Sequence, residues 1–118
     1  MKFSIATAWL DPTELPPLAM AAEEAGYHGM SISDHVVNLQ TLKTPYPYTE
    51  TGERRWKPFD PWMDPMVTIG ALGAVTERLQ FFTNVYVLPM RDPFTTAKTV
   101  ATASVLTGGR VSLGIGMG

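Results

Sequence analysis

The residues of this chain that could do chemistry are a few polar groups set into apolar runs. In Met30-Ser31-Ile32-Ser33-Asp34-His35-Val36-Val37, a carboxylate and an imidazole end a segment suited to a buried strand. Histidine both donates and accepts protons near neutral pH, so His35 is the candidate proton-handling group. Asp34 beside it reads as a turn or helix cap. In Gln80-Phe81-Phe82-Thr83-Asn84-Val85-Tyr86-Val87-Leu88, Thr83 and Asn84 interrupt an otherwise apolar strand; a bulge, a buried hydrogen bond or a functional position each explains them. Gly114-Ile115-Gly116-Met117-Gly118 resembles the start of a phosphate-binding turn. Without a following helix whose N-terminus would hold the phosphate, a tight strand-to-loop turn is the simpler reading. Arg54-Arg55-Trp56-Lys57 is a basic, aromatic patch, either a solvated loop or a contact for an anionic ligand.

These groups must be positioned by elements that the hydrophobic pattern outlines. Residues 2–9 suit a buried first strand with Phe3, Ile5 and Trp9 as its large side chains. A helix starts near Pro16, after Asp11-Pro12-Thr13-Glu14, and is capped by Gly26. A second strand covers 29–33. Residues 36–60, rich in Pro, Tyr, Thr and charge, form a loop long enough to be a functional lid. Asp64-Pro65 caps a helix running to about 78, residues 80–88 form a third strand, and Asp92-Pro93 caps a helix over 93–107. A fourth strand, 110–115, follows. Asp60, also followed by proline, reads as another cap rather than a catalytic carboxylate. Alternation of strands and helices implies an α/β fold with parallel strands and right-handed crossovers. Either an open doubly wound sheet or part of a (β/α)8 barrel satisfies it. In both, active sites lie at the C-terminal ends of the strands. That rule places His35 on the functional face and His28, between a helix and the next strand, on the opposite one. The first strand-to-helix turn has no glycine fingerprint for a nucleotide.

Bulk properties narrow the partners. The 118 residues make one domain, with 45% hydrophobic and 17% charged residues. A net charge of −2 with no Lys/Arg run argues against nucleic acid or anionic membrane as a partner. Absence of cysteine excludes disulfides and thiolate metal sites and fits a cytoplasmic protein. No metal site is expected. No stretch approaches the ~18 apolar residues a membrane span needs.

The order of motifs resembles the N-terminal half of a luciferase-like monooxygenase: the opening strand, Ala21-Ala22-Glu23-Glu24-Ala25-Gly26 leading into Ser33-Asp34-His35, the Tyr46-Pro47-Tyr48 loop, and the run from Asp64-Pro65 through the last glycines. Ser33-Asp34-His35 and Thr83-Asn84-Val85-Tyr86-Val87-Leu88-Pro89-Met90-Arg91-Asp92-Pro93 resemble the branch that uses the deazaflavin coenzyme F-420 more than the FMN branch. The resemblance implies a partial TIM (β/α)8-type barrel of about four strands, binding a deazaflavin, or alternatively FMN, at its C-terminal mouth. It implies that His35 lies beside the coenzyme ring and assists proton transfer, oriented by Asp34. A bulge with a non-prolyl cis peptide at Asn84-Val85 would back the ring, with Asp34, Thr83, Gly114 and Gly116 also on the coenzyme side. Tyr46, Tyr48 and Trp56 of the long loop would contact a small-molecule substrate. A complete barrel runs ~250 residues, so the strands are expected to be completed by a missing C-terminal half or by self-association. A half-barrel serving only for binding or assembly is the non-catalytic alternative.

Overall fold

The computed structural model describes residues 1–37, 39–57 and 59–117. Strand β1 (Ser4–Ala6) leads through a single 3-10 turn, Pro12–Glu14, into helix α1 (Leu15–Glu24). Strand β2 (Gly29–Ile32) and the long loop precede helix α2 (Pro65–Gly73). Then come β3 (Gln80–Thr83), β4 (Tyr86–Val87), a 3-10 turn at Leu88–Met90, helix α3 (Pro93–Leu106), β5 (Val111–Ser112) and β6 (Ile115–Gly116).

Three Asp-Pro pairs start the helical segments by one device. Asp11 accepts the Thr13 amide, Asp64 those of Met66 and Val67, and Asp92 that of Thr95. The proline that follows fills a position whose amide would have no partner. Pro16 and Pro17 are tolerated for the same reason, since they fall in the first turn of α1. Asp60 departs from the pattern: its carboxylate accepts the Lys57 amide and caps a turn of the loop.

The sheet settles the choice of architecture. Its order is β1-β2-β3-β5, every pair parallel, with each strand added beside the one before. A doubly wound sheet reverses direction at a switch point; this one does not. Right-handed crossovers then put every helix on the same face, and α1 packs on α2 and α2 on α3. The result is the winding of a (β/α)8 barrel over four barrel strands. The third is broken into β3 and β4, the fourth into β5 and β6, and the outer halves form a second parallel pair, β4 with β6.

Between helices and sheet lies one core. Leu15, Ala19 and Ala22 of α1, Met66, Ile69 and Leu72 of α2, and Ala103 of α3 pack against Met30, Ile32 and Phe81 of the strands. The first strand is shorter than its apolar pattern suggests. The chain leaves the ladder at Thr7, whose amide and hydroxyl both donate to the Ser31 carbonyl. Phe3 (61% exposed) and Trp9 (49%) stay outside the core, because they fall before and after the three residues of β1. Helix α2 ends at Gly73 rather than near 78. The next residues are claimed by a tertiary partner: the Glu23 carboxylate accepts the amides of Glu77, Arg78 and Leu79, which turns the chain and delivers Leu79 to the core.

The same end of the sheet carries a second clamp. The Arg110 guanidinium donates to the carbonyls of Gly73, Thr76, Leu79 and Thr107 and to the Thr76 hydroxyl, tying α2, α3 and β5 together. Only arginine has this fan of donors. His28 sits here too, its amide donating to Phe3 and its carbonyl accepting from Gln80. Among the described residues no helix is long and apolar enough to cross a membrane.

Glu23 makes this clamp pH-dependent. Burial opposes its charge, but three amides and Arg78 outweigh that and lower its pKa below the ordinary 4.5. A depressed carboxylate contributes stability above its unfolded pKa and loses it as pH falls through the folded value. Urea melts of Glu23→Gln should therefore show a deficit at pH 7 that shrinks below about pH 4.5; a deficit constant with pH would refute this origin.

Candidate active site

At the C-terminal end of β2, Asp34 is the best-fixed group. Its side chain is 1% exposed, and Arg91 grips it with two bonds, Nη1 to Oδ2 at 2.6 Å and Nη2 to Oδ1 at 2.8 Å. Oδ2 also accepts the Val87 amide at 2.8 Å. A buried carboxylate is tolerable only when so paired. Arg91 in turn lies 4.0 Å from the centre of the Tyr86 ring, donates to the Val87 carbonyl and reaches Asp64 at the start of α2. Asp34 therefore acts on His35 through the backbone rather than through its carboxylate. Both carboxylate oxygens are committed to Arg91 and Val87, and Asp34 fixes the backbone from which His35 projects.

The His35 ring sits half-buried among aromatic side chains. Trp56 packs at 4.8 Å between ring centroids and Trp62 at 4.5 Å; Trp56 and Trp62 are 5.5 Å apart. Tyr46 meets Trp56 edge-on at 5.2 Å, and Tyr48 meets Tyr46 at 5.4 Å. The loop thus brings Trp56 directly onto His35 and Tyr46 behind it, while Tyr48 stays 73% exposed at the rim. The basic patch holds this loop closed on itself. Arg54 donates to the Leu39 and Gln40 carbonyls, Arg55 to that of Tyr48, and the Tyr46 amide to the Gly52 carbonyl. Burial, helped by the charge of Arg54 and opposed by that of Asp34, lowers the His35 pKa below 6.5. Burial thus disfavours the charged form of the ring. Trp62 was not among the sequence candidates; its signal would have been an aromatic residue two positions before the Asp64 cap.

On the neighbouring strand, the peptide between Asn84 and Val85 is cis, at the position the resemblance implied. The Asn84 amide donates to the Ile32 carbonyl, which sets the break between β3 and β4 level with the end of β2. Asn84 and Val85 are exposed there, so Asn84 is not the buried hydrogen-bonding residue that was one reading of the interruption. Thr83 is: its buried hydroxyl donates to the Gly114 carbonyl and accepts from the Gly114 amide. A Cβ on Gly114 would collide with the Thr83 carbonyl oxygen, and one on Gly116 with the Val85 side chain. Both glycines allow close approach of the neighbouring strand; Gly118 lies outside the described residues. Among the described residues no three His, Cys, Asp or Glu side chains converge as metal ligands.

Two outcomes follow for this cluster. Arg91→Met strands a buried carboxylate and should cost about 3–5 kcal/mol in chemical unfolding, with part recovered in the double variant Asp34→Asn/Arg91→Met; equal losses in both would count against the pair. The His35 titration by NMR should lie below 6.5 and fall further in Asp34→Asn. Because the folded value is the lower one, the contribution of His35 to stability is full above about pH 6.5 and declines as the unfolded state takes up protons below it.

Comparison with known proteins adds the following. The family model of luciferase-like monooxygenases matches residues 4–118. An uncharacterized protein of Mycobacterium tuberculosis is 43% identical over 116 residues, 98% of this chain and 40% of that protein. The F420-dependent glucose-6-phosphate dehydrogenase of Nakamurella multipartita is 34% identical over 108 residues, 91% of this chain and 27% of that protein. In solved structures, the same fold occurs in the oxygenating constituent of 3,6-diketocamphane monooxygenase from Pseudomonas putida, in complex with FMN (TM-score 0.72, 21% identity, 100% of this chain and 30% of that one). It occurs also in the coenzyme F420 dependent tetrahydromethanopterin reductase of Methanopyrus kandleri (TM-score 0.71, 22% identity, 99% and 27%). The chain spans less than half the length of each of these proteins.

Proposed function

We propose a function from one premise: this chain belongs to the luciferase-like monooxygenase family. It carries the ring-facing part of an oxidoreductase site, and its coenzyme is the deazaflavin F-420, with FMN as the alternative. The observation that carries this reading is a half-buried His35 at the end of β2, level with the exposed Asn84-Val85 break on the next strand. Relatives named as F420-dependent dehydrogenases, 34% and 33% identical, favour the deazaflavin. The FMN complex of a 21% identical structure favours the alternative.

The residues present fit the ring end of such a coenzyme. Asn84 and Val85 offer an exposed backing surface, and Gly114 and Gly116 let the neighbouring strand come close behind it. The coenzyme tail would find no free guanidinium at Arg91 or Arg110, whose donors are spent on Asp34 and on backbone carbonyls. When bound, the deazaflavin supplies a carbon that gives or takes a hydride, two electrons at a time. His35 takes the proton that the small-molecule substrate gives up. Asp34 and Arg91 hold the backbone that presents it. Trp56, Trp62 and Tyr46 exclude water from the imidazole, with Tyr48 at the entrance.

Both sheet edges, β1 and the β5–β6 strand, pair on one side only, and Phe3, Ile115 and Met117 beside them are exposed. Further strands, from more chain or from a second copy, complete the barrel. Fluorescence titration with F-420 and with FMN tests the coenzyme: saturable binding of F-420 at lower concentration than FMN is the expected result, and the reverse order transfers the site to the monooxygenase branch. In the active protein, His35→Ala should lower turnover by about 10²-fold or more; unchanged turnover would remove His35 from the chemistry. A clean monomer in light scattering would exclude the second copy.

A further inference from the structure

Among the described residues other than glycine, Trp9 alone has a left-handed backbone, with φ 64°. A Cβ crowds the following carbonyl there, so glycine, asparagine or aspartate is the ordinary occupant and a bulky residue is exceptional. Such positions persist where the surrounding structure fixes them, and they gather at ligand sites. Trp9 lies at the mouth. Ala6 pairs with Ser31 and Ile32 with Thr83, and the same offsets carry Trp9 to the level of Asp34 and Val85. The chain leaves the ladder at Thr7 but stays beside β2, since Trp9, Ser33 and Trp62 line one cavity of about 20 Å³. That space holds no more than a water and marks only that these residues are neighbours. Trp62 in turn packs on His35. The Trp9 indole stands outside the core cluster, half-exposed, and no ring of the described residues stacks on it. Val36, which follows His35, and Val85 are exposed as well. The charges near them are matched: Asp34 and Arg91 hold each other, and Arg54 donates to loop carbonyls.

We propose that Trp9 is a specificity residue: its indole walls the substrate site on the β1 side of His35 and holds the apolar body of an uncharged substrate. Indole offers a broad, rigid apolar face at little cost in side-chain entropy. Val36 and Val85 extend that surface, and an ionised substrate group would meet only charges already spent on other partners. Resting on the oxidoreductase reading above, this names the class of substrate: a small uncharged molecule with an apolar body, not a phosphorylated or carboxylated one.

The test uses the indole region of the nitrogen–proton NMR spectrum, where the chain has only Trp9, Trp56 and Trp62 to resolve. Cyclohexanone is the probe, and acetone, with the same carbonyl and a smaller apolar body, is the control. Cyclohexanone should shift the Trp9 indole signal saturably and bind about tenfold or more tighter than acetone. Cyclohexanecarboxylate, a ring of the same size bearing a charge, should bind more weakly than cyclohexanone. Trp9→Asn places a residue at ease in left-handed backbone and should abolish the preference for the larger ketone; Trp9→Phe should keep most of it. A general loosening of the fold would weaken both ketones alike and leave their ratio unchanged. Equal binding of the two ketones, tighter binding of the carboxylate, or no Trp9 response in the unaltered chain overturns the proposal, and none of these depends on a variant folding. A preference that survives Trp9→Asn overturns it too. F-420 titration of the same samples separates the two readings. Coenzyme binding without a cyclohexanone response defeats this wall alone; a cyclohexanone response without coenzyme binding defeats the coenzyme assignment alone.

Discussion

The interaction on which the rest of the site depends is the ion pair of Asp34 and Arg91. A carboxylate 1% exposed at the end of a strand has no access to water, and its charge is sustained by one guanidinium and one amide. One partner, Val87, lies in the outer half of the third barrel strand and the other, Arg91, just after it. Strand β2 can therefore carry His35 outward only if β4 and the turn after it are already in place. Through Asp64 and the Tyr86 ring, the same guanidinium fixes the start of α2 and the mouth side of the sheet. Local sequence and distant packing are joined there by one set of bonds, and loss of one partner leaves the other buried without compensation.

The two ends of the sheet solve different problems. At the N-terminal end, Glu23 and Arg110 bind backbone groups and no ligand-facing residue, closing helix ends and turns that would otherwise bury unpaired amides and carbonyls. At the C-terminal end, charged groups bind each other and leave an imidazole, two indoles and an exposed strand break facing the mouth. A barrel separates stability from chemistry in this way, with fixed geometry below and adjustable loops above.

Much of this was legible in the chain itself. Asp-Pro pairs marked the helix starts because both residues act locally, within a turn. The polar end of an apolar strand marked His35, and the Thr-Asn interruption marked the break at Asn84. What stayed hidden depends on partners far along the chain. Nothing near Arg91 announces that it will pair with Asp34, and the end of α2 is set by Glu23 from another helix. The split of the fourth strand was equally silent, since Leu113 and Gly114 fit a continuous strand and the break is visible only against Thr83. Trp62, past the end of the long loop, meets His35 only in the folded chain.

The two broken strands are matched, and that has a consequence for how such a chain can diverge. Thr83 exchanges both of its hydroxyl bonds with Gly114, and the side chain of Val85 occupies the space that a Cβ on Gly116 would need. Neither residue of a pair can change size or polarity without a reply from its partner on the adjacent strand. Across lineages the two pairs should be inherited as units, drifting together or not at all.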